Sequence, residues 1–62
     1  MSKSPTPDEI RAARDAVGAT QAEAAAKVYC HTYTWVKWER GERRMPRATY
    51  ELFLIKTGQK KA

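Results

Sequence analysis

Hydrophobic and polar positions along the chain fall into four short helical repeats punctuated by glycine and proline. Ile10, Ala13 and Val17 recur at i, i+3 and i+7, the spacing of one helix face. Thr6-Pro7-Asp8-Glu9 precedes them as a capping box with proline suited to N1 and acids in the first turn. A first helix is therefore predicted from Pro7 to Val17, with Gly18 ending it and an Arg11–Asp15 pair at i,i+4 on its outer face. A second capping box, Thr20 with Glu23, opens the strong helix formers Gln21 to Lys27. Ala24, Ala25 and Val28 share one face of this run, and the small alanines let another helix approach closely. Tyr29, Cys30 and His31 interrupt the repeat. Thr32 to Arg40 resumes it, with Trp35 and Trp38 on the inward face and Gly41 suited to the position just past the helix end.

Glu42 to Met45 reads as a charged loop. A fourth helix is expected from Pro46 or Arg47 to Thr57, closed by Gly58. Tyr50, Leu52, Phe53, Leu54 and Ile55 cover more than one of its faces, which suggests that one side meets a partner subunit. A short buried strand over 52–55 is the competing reading, but the span between proline and glycine favours a helix. Residues 1–5 read as a flexible polar leader, 6–58 as one domain and 59–62 as a frayed basic tail. The expected fold is all-α, a compact bundle of about four short helices. Its second and third helices, joined by a tight turn, follow the helix-turn-helix plan that sets the second of the pair in the DNA major groove.

Charge sharpens this picture. The chain has 62 residues, 42% of them hydrophobic, and a formal net charge of +5. Residues 1–31 carry four basic and four acidic side chains, whereas residues 32–62 carry eight basic and three acidic. The whole excess lies with the third and fourth predicted helices, and a polyanion is the natural partner of such a surface. A single cysteine and a single histidine exclude an internal disulfide and a zinc site. No apolar run reaches membrane-spanning length, and no secretory signal is visible. No paired carboxylates, activated nucleophile or cofactor motif points to an enzyme. A reducing cytoplasm is the simplest setting.

The pieces TQ-x-E-x-A at 20–25, W-x-x-W-E-x-G at 35–41 and the basic residues before Pro46 resemble, in one register, the phage repressor/Cro-like helix-turn-helix family, also called the xenobiotic-response-element family. The resemblance runs over roughly residues 7–58, and Gly18 falls where that family ends its first helix. It implies a lambda-repressor-like fold and a transcription regulator, encoded by a bacterium or phage, that binds a double-stranded DNA operator as a homodimer. Half-sites would lie about 34 Å apart. Carried over position by position, it implies base reading by Thr32, Tyr33 and Lys37, whose groups match base-edge donors, acceptors and methyls. It implies backbone contacts from Gln21, Thr34, Arg40, Arg43, Arg44 and Arg47, and an internal ion pair between Arg14 and Glu39. The pattern around 35–46 is also similar to small regulators encoded beside phage or mobile-element operons, including anti-CRISPR-associated ones.

The sequence departs from the family at the turn. His31 stands where a small polar N-cap is usual and Tyr29 where glycine is usual, so Thr32 either caps the third helix or reads a base. Cys30 is expected as a small buried residue at the turn. The chain lacks the fifth helix with which several relatives dimerise. With no sensor domain, promoter occlusion is the most economical mechanism, and no cofactor or small-molecule ligand is implied. Two other readings stay open: a protein-interaction module using the apolar fourth helix, and an RNA-binding regulator.

Overall fold

A computed structural model describes residues 3–62 and contains four helices: α1 (Pro7–Asp15), α2 (Gln21–Lys27), α3 (Thr32–Arg40) and α4 (Arg47–Lys56). The described residues contain no strand, so 52–55 is helical. None of these helices is long and apolar enough to cross a membrane. Of the expected leader, residues 1–2 lie outside the described residues.

Local sequence explains the helix starts. At α1 the Thr6 hydroxyl accepts from the Glu9 N–H and the Glu9 carboxylate accepts from the Thr6 N–H; at α2 Thr20 and Glu23 do the same. Each box satisfies two backbone donors that the helix leaves unpaired.

All four helices end alike, with a 6→1 bond over a residue in the left-handed region: Ala19 N–H to Arg14 O, Cys30 to Ala25, Glu42 to Lys37 and Gln59 to Leu54. Gly18, Gly41 and Gly58 supply that conformation three times; at the end of α2 it is Tyr29, at φ +60°. A side chain in that region costs roughly 1–2 kcal/mol, because its Cβ crowds the following carbonyl. Here the ring is held from outside. Lys56 Nζ lies over it, 3.9 Å from the centroid, and donates to Tyr29 Oη at 2.7 Å and to Lys27 O at 2.9 Å. The hydrogen bond from Lys56 keeps the phenol below its ordinary pKa. The turn between α2 and α3 is thereby tied to α4.

The core is built from Ile10 and Ala13 of α1, Ala24 and Ala25 of α2 with Val28 beyond it, Trp35 and Trp38 of α3, Met45, and Phe53 of α4. α3 packs chiefly on α2 and then on α1, while α4 packs on α2. The alanines let the Trp35 side of α3 come close, and Trp35 meets Trp38 edge-on at 5.7 Å and Phe53 at 5.0 Å. Val17, expected inside, is 40% exposed because α1 ends at Asp15 and the helical period stops before it. Met45, expected in a polar loop, is fully buried. Cys30 is half-buried.

Charge partners also differ from the helical template. Arg11 bonds Asp8 at 2.9 Å rather than Asp15, and Asp15 stands 3.8 Å from Arg14. The leader and tail are engaged. Pro5 is buried, Lys3 O accepts from Arg47 at 3.4 Å, and Gln59 Nε2 donates to Ala13 O at 3.0 Å.

One carboxylate joins three helices. Glu39, 7% exposed, accepts from Arg14 Nε at 2.6 Å and Nη2 at 3.1 Å, from Gln21 Nε2 at 3.2 Å, and from the Trp35 indole. The pair expected between Arg14 and Glu39 is therefore present, in the fork geometry that suits arginine. Arg14 Nη1 further donates to Ala19 O at 3.1 Å, tying down the α1–α2 turn. Burial opposes the charge on Glu39, but the hydrogen bonds from Arg14, Trp35 and Gln21 outweigh it and hold the carboxyl below its ordinary value.

Two stability experiments follow from these features. Tyr29→Gly should be more stable than Tyr29→Ala by about 1 kcal/mol in chemical unfolding, despite glycine's greater entropy loss, because only glycine escapes the left-handed strain. Tyr29→Ala more stable than Tyr29→Gly would show that the backbone bears no strain beyond glycine's entropy cost. For the carboxylate, Arg14→Met and Glu39→Gln should each cost about 3 kcal/mol, with a double-mutant cycle showing coupling rather than additivity. Because the folded pKa of Glu39 is depressed, the native state binds fewer protons than the unfolded one near the ordinary carboxyl value. Its contribution is then complete above about pH 4.3 and is lost as pH falls through the lower folded value. Glu39→Gln should flatten that part of the acid-unfolding profile; an unchanged profile would remove Glu39 as its source.

Candidate nucleic-acid interface

The candidate interface is the outward face of α3 with the arginine-bearing loop that follows. Placement of α3 begins at its cap. His31 Nδ1 accepts from the Tyr33 N–H at 3.2 Å, with the backbone of His31 extended. The histidine takes the capping role, and the Thr32 side chain stays exposed and is not used as a cap. The cap that the sequence left open between His31 and Thr32 is therefore His31. The turn before α3 is fixed on both sides, by Tyr29 in its left-handed conformation and by His31 at the cap.

Trp35 and Trp38 face the core, and Tyr33 and Lys37, four residues apart, lie away from them. Thr32 is exposed, Tyr33 is 60% exposed, and Lys37 is half-buried with its Nζ 4.6 Å from the centroid of the Tyr33 ring. Such a cation over an aromatic face is attracted by the ring quadrupole. The structure thus brings Tyr33 and Lys37 together and leaves Thr32 exposed at the start of the same helix. Thr34 is half-buried, its N–H closing the first turn on His31 O at 3.0 Å.

The expected backbone-contacting residues divide by what already holds them. Arg43 and Arg44 are exposed and have no carboxylate within ion-pair distance among the described residues. They border a shallow groove with Lys3, Pro5, Trp38 and Gly41, which gathers three cations beside the end of α3. Arg40 is paired with Glu42 at 2.9 Å. Arg47 is paired with Glu51 at 3.1 Å and lies over the Tyr50 ring, 5.2 Å from its centroid. Gln21, expected at a phosphate, instead donates its amide to Glu39. Its role in the free protein is internal, because the buried carboxylate needs the donor.

Sequence reasoning missed Lys3 and did not settle that the ring of His31, already at the N-cap position, does the capping. Lys3 carried no signal, since only packing brings the leader beside the 41–44 loop. His31 had one: its place immediately before a helical repeat is an N-cap position, and a deprotonated ring nitrogen is a competent acceptor. Comparison with known proteins found neither a family model nor a curated protein that matches this chain.

Proposed function

We propose that this protein is a sequence-specific double-stranded DNA-binding regulator of transcription, a repressor or autorepressor acting by promoter occlusion. The observation that carries the proposal is the two-sided character of α3. One side is locked into the core by Trp35, Trp38 and Glu39; the other presents Tyr33 and Lys37, with Thr32 exposed at the helix start and, in the loop that follows, two arginines without carboxylate partners among the described residues. A rigid helix with a polar outward face suits the major groove, whose base edges offer acceptors to a lysine, hydrogen-bond partners to a threonine and a methyl to an apolar surface. Arg43 and Arg44 supply the phosphate contacts that fix register without reading sequence. Binding as a homodimer on a near-palindromic operator completes the reading.

Counterion release makes this reading measurable. The affinity for duplex DNA should fall with salt, log K against log salt having a slope of about −0.9 per phosphate contacted. Arg43→Ala and Arg44→Ala should each reduce that slope by about one. Arg40→Ala and Arg47→Ala remove cations already neutralised at 2.9 and 3.1 Å and should reduce it less. A salt-independent affinity would contradict the basic surface as a DNA-binding one, and tighter binding to RNA in direct competition would replace duplex DNA as the partner.

Reading is separated from holding by one substitution. Lys37→Ala should cost about 1–3 kcal/mol on the selected operator and little on a scrambled duplex at the same salt. Equal losses on both would make Lys37 a phosphate contact and would move the reading head away from this face.

A further inference from the structure

Tyr33 and Lys37 sit four residues apart on α3, one above the other on its exposed face. Long helical side chains lean toward the N-terminus, which carries the lysine stem back over the tyrosine. The ammonium ends 4.6 Å from the ring centroid. Neither side chain has a carboxylate partner among the described residues, and the Tyr33 ring is outside the core. The two groups therefore present one composite surface, an apolar ring with a cation fixed at its face.

The size of that surface limits what it can read. One helical turn rises about 5.4 Å, whereas successive bases on a strand are about 3.4 Å apart. Pointing outward independently, the two residues would address bases more than one step apart. With the ammonium drawn back over the ring, they address neighbours. A lysine donates to guanine O6 and N7, and the apolar group on the major-groove edge is the thymine C5 methyl.

Resting on the DNA reading above, we propose that the Tyr33–Lys37 couple is a single recognition element for adjacent thymine and guanine, with the ring against the thymine methyl and the ammonium on the guanine. Tyr33 is in addition the positioning residue for Lys37, so discrimination at the guanine depends on the ring.

The test starts from duplexes enriched by the full chain from a randomised pool, then alters single atoms of the bound site. Deoxyuridine in place of the thymine removes only the methyl and should weaken binding about fourfold, the value of one buried methyl-sized group. 7-Deazaguanine removes one acceptor and should weaken it about fivefold or more. In Tyr33→Ala the deoxyuridine penalty should vanish and the 7-deazaguanine penalty should shrink; in Tyr33→Phe, which keeps the ring, both should persist. Enriched sites without adjacent thymine and guanine, deoxyuridine duplexes bound as tightly as thymine ones, or a guanine penalty unchanged in Tyr33→Ala would each overturn the proposal. A pool that enriches no sequence at all would overturn the DNA reading beneath it, a different failure from any of these.

Discussion

The buried carboxylate of Glu39 is the constraint on which the rest of the molecule depends. Removing a carboxylate from water is costly unless its lone pairs find donors, and here α1, α2 and α3 each provide one. Because Arg14 forks onto it with two nitrogens and Trp35 reaches it from the previous turn, the rotation of α3 about its own axis is restricted. Turning α3 to expose a different face would strip Glu39 of its donors and drag Trp35 from between Trp38 and Phe53. A core of hydrophobic residues alone does not specify orientation so tightly, since apolar contacts are non-directional. In a 62-residue chain, where little surface can be buried, a directional polar junction contributes uniqueness that area cannot.

The same logic explains the unusual turn between α2 and α3. Three helix ends use glycine, and the one that precedes α3 uses tyrosine in the same left-handed conformation. The strain is offset by Lys56, which reaches from α4 to the ring, the hydroxyl and the last carbonyl of α2. A glycine would relieve the backbone and remove the link. The turn is then held by a contact from a distant helix as well as by its own hydrogen bonds, and α3 starts from a fixed point. His31 completes it from the other side and leaves Thr32 exposed.

The basic half of the chain does two different jobs. Arg40, Arg47 and Lys60 are paired with carboxylates within the protein, whereas Lys37, Arg43, Arg44 and Lys56 have no carboxylate partner among the described residues. Net charge counts these alike, but the field felt by an approaching polyanion comes mostly from the second group, because an ion pair at close range is nearly a dipole. The surface that remains is smaller than the composition suggests, and it includes Arg43 and Arg44 in the loop that follows α3.

By itself the sequence determined the four helices and the starts of α1 and α2, although α1 stops at Asp15, short of the expected Val17. Capping boxes at Thr6 and Thr20 and glycines at 18, 41 and 58 act through bonds spanning a few residues, so the information needed is local. It also determined which face of α3 is buried, since tryptophans three residues apart must share one. Tertiary structure alone decided which side chain each charged or amide group would find. Arg11 turned to Asp8, Gln21 turned inward to Glu39, Met45 and Pro5 joined the interior, and Gln59 reached back to Ala13. A long polar side chain has several partners within reach along its own helix, and the choice between them is made by packed neighbours far away in the chain. No periodicity encodes that choice.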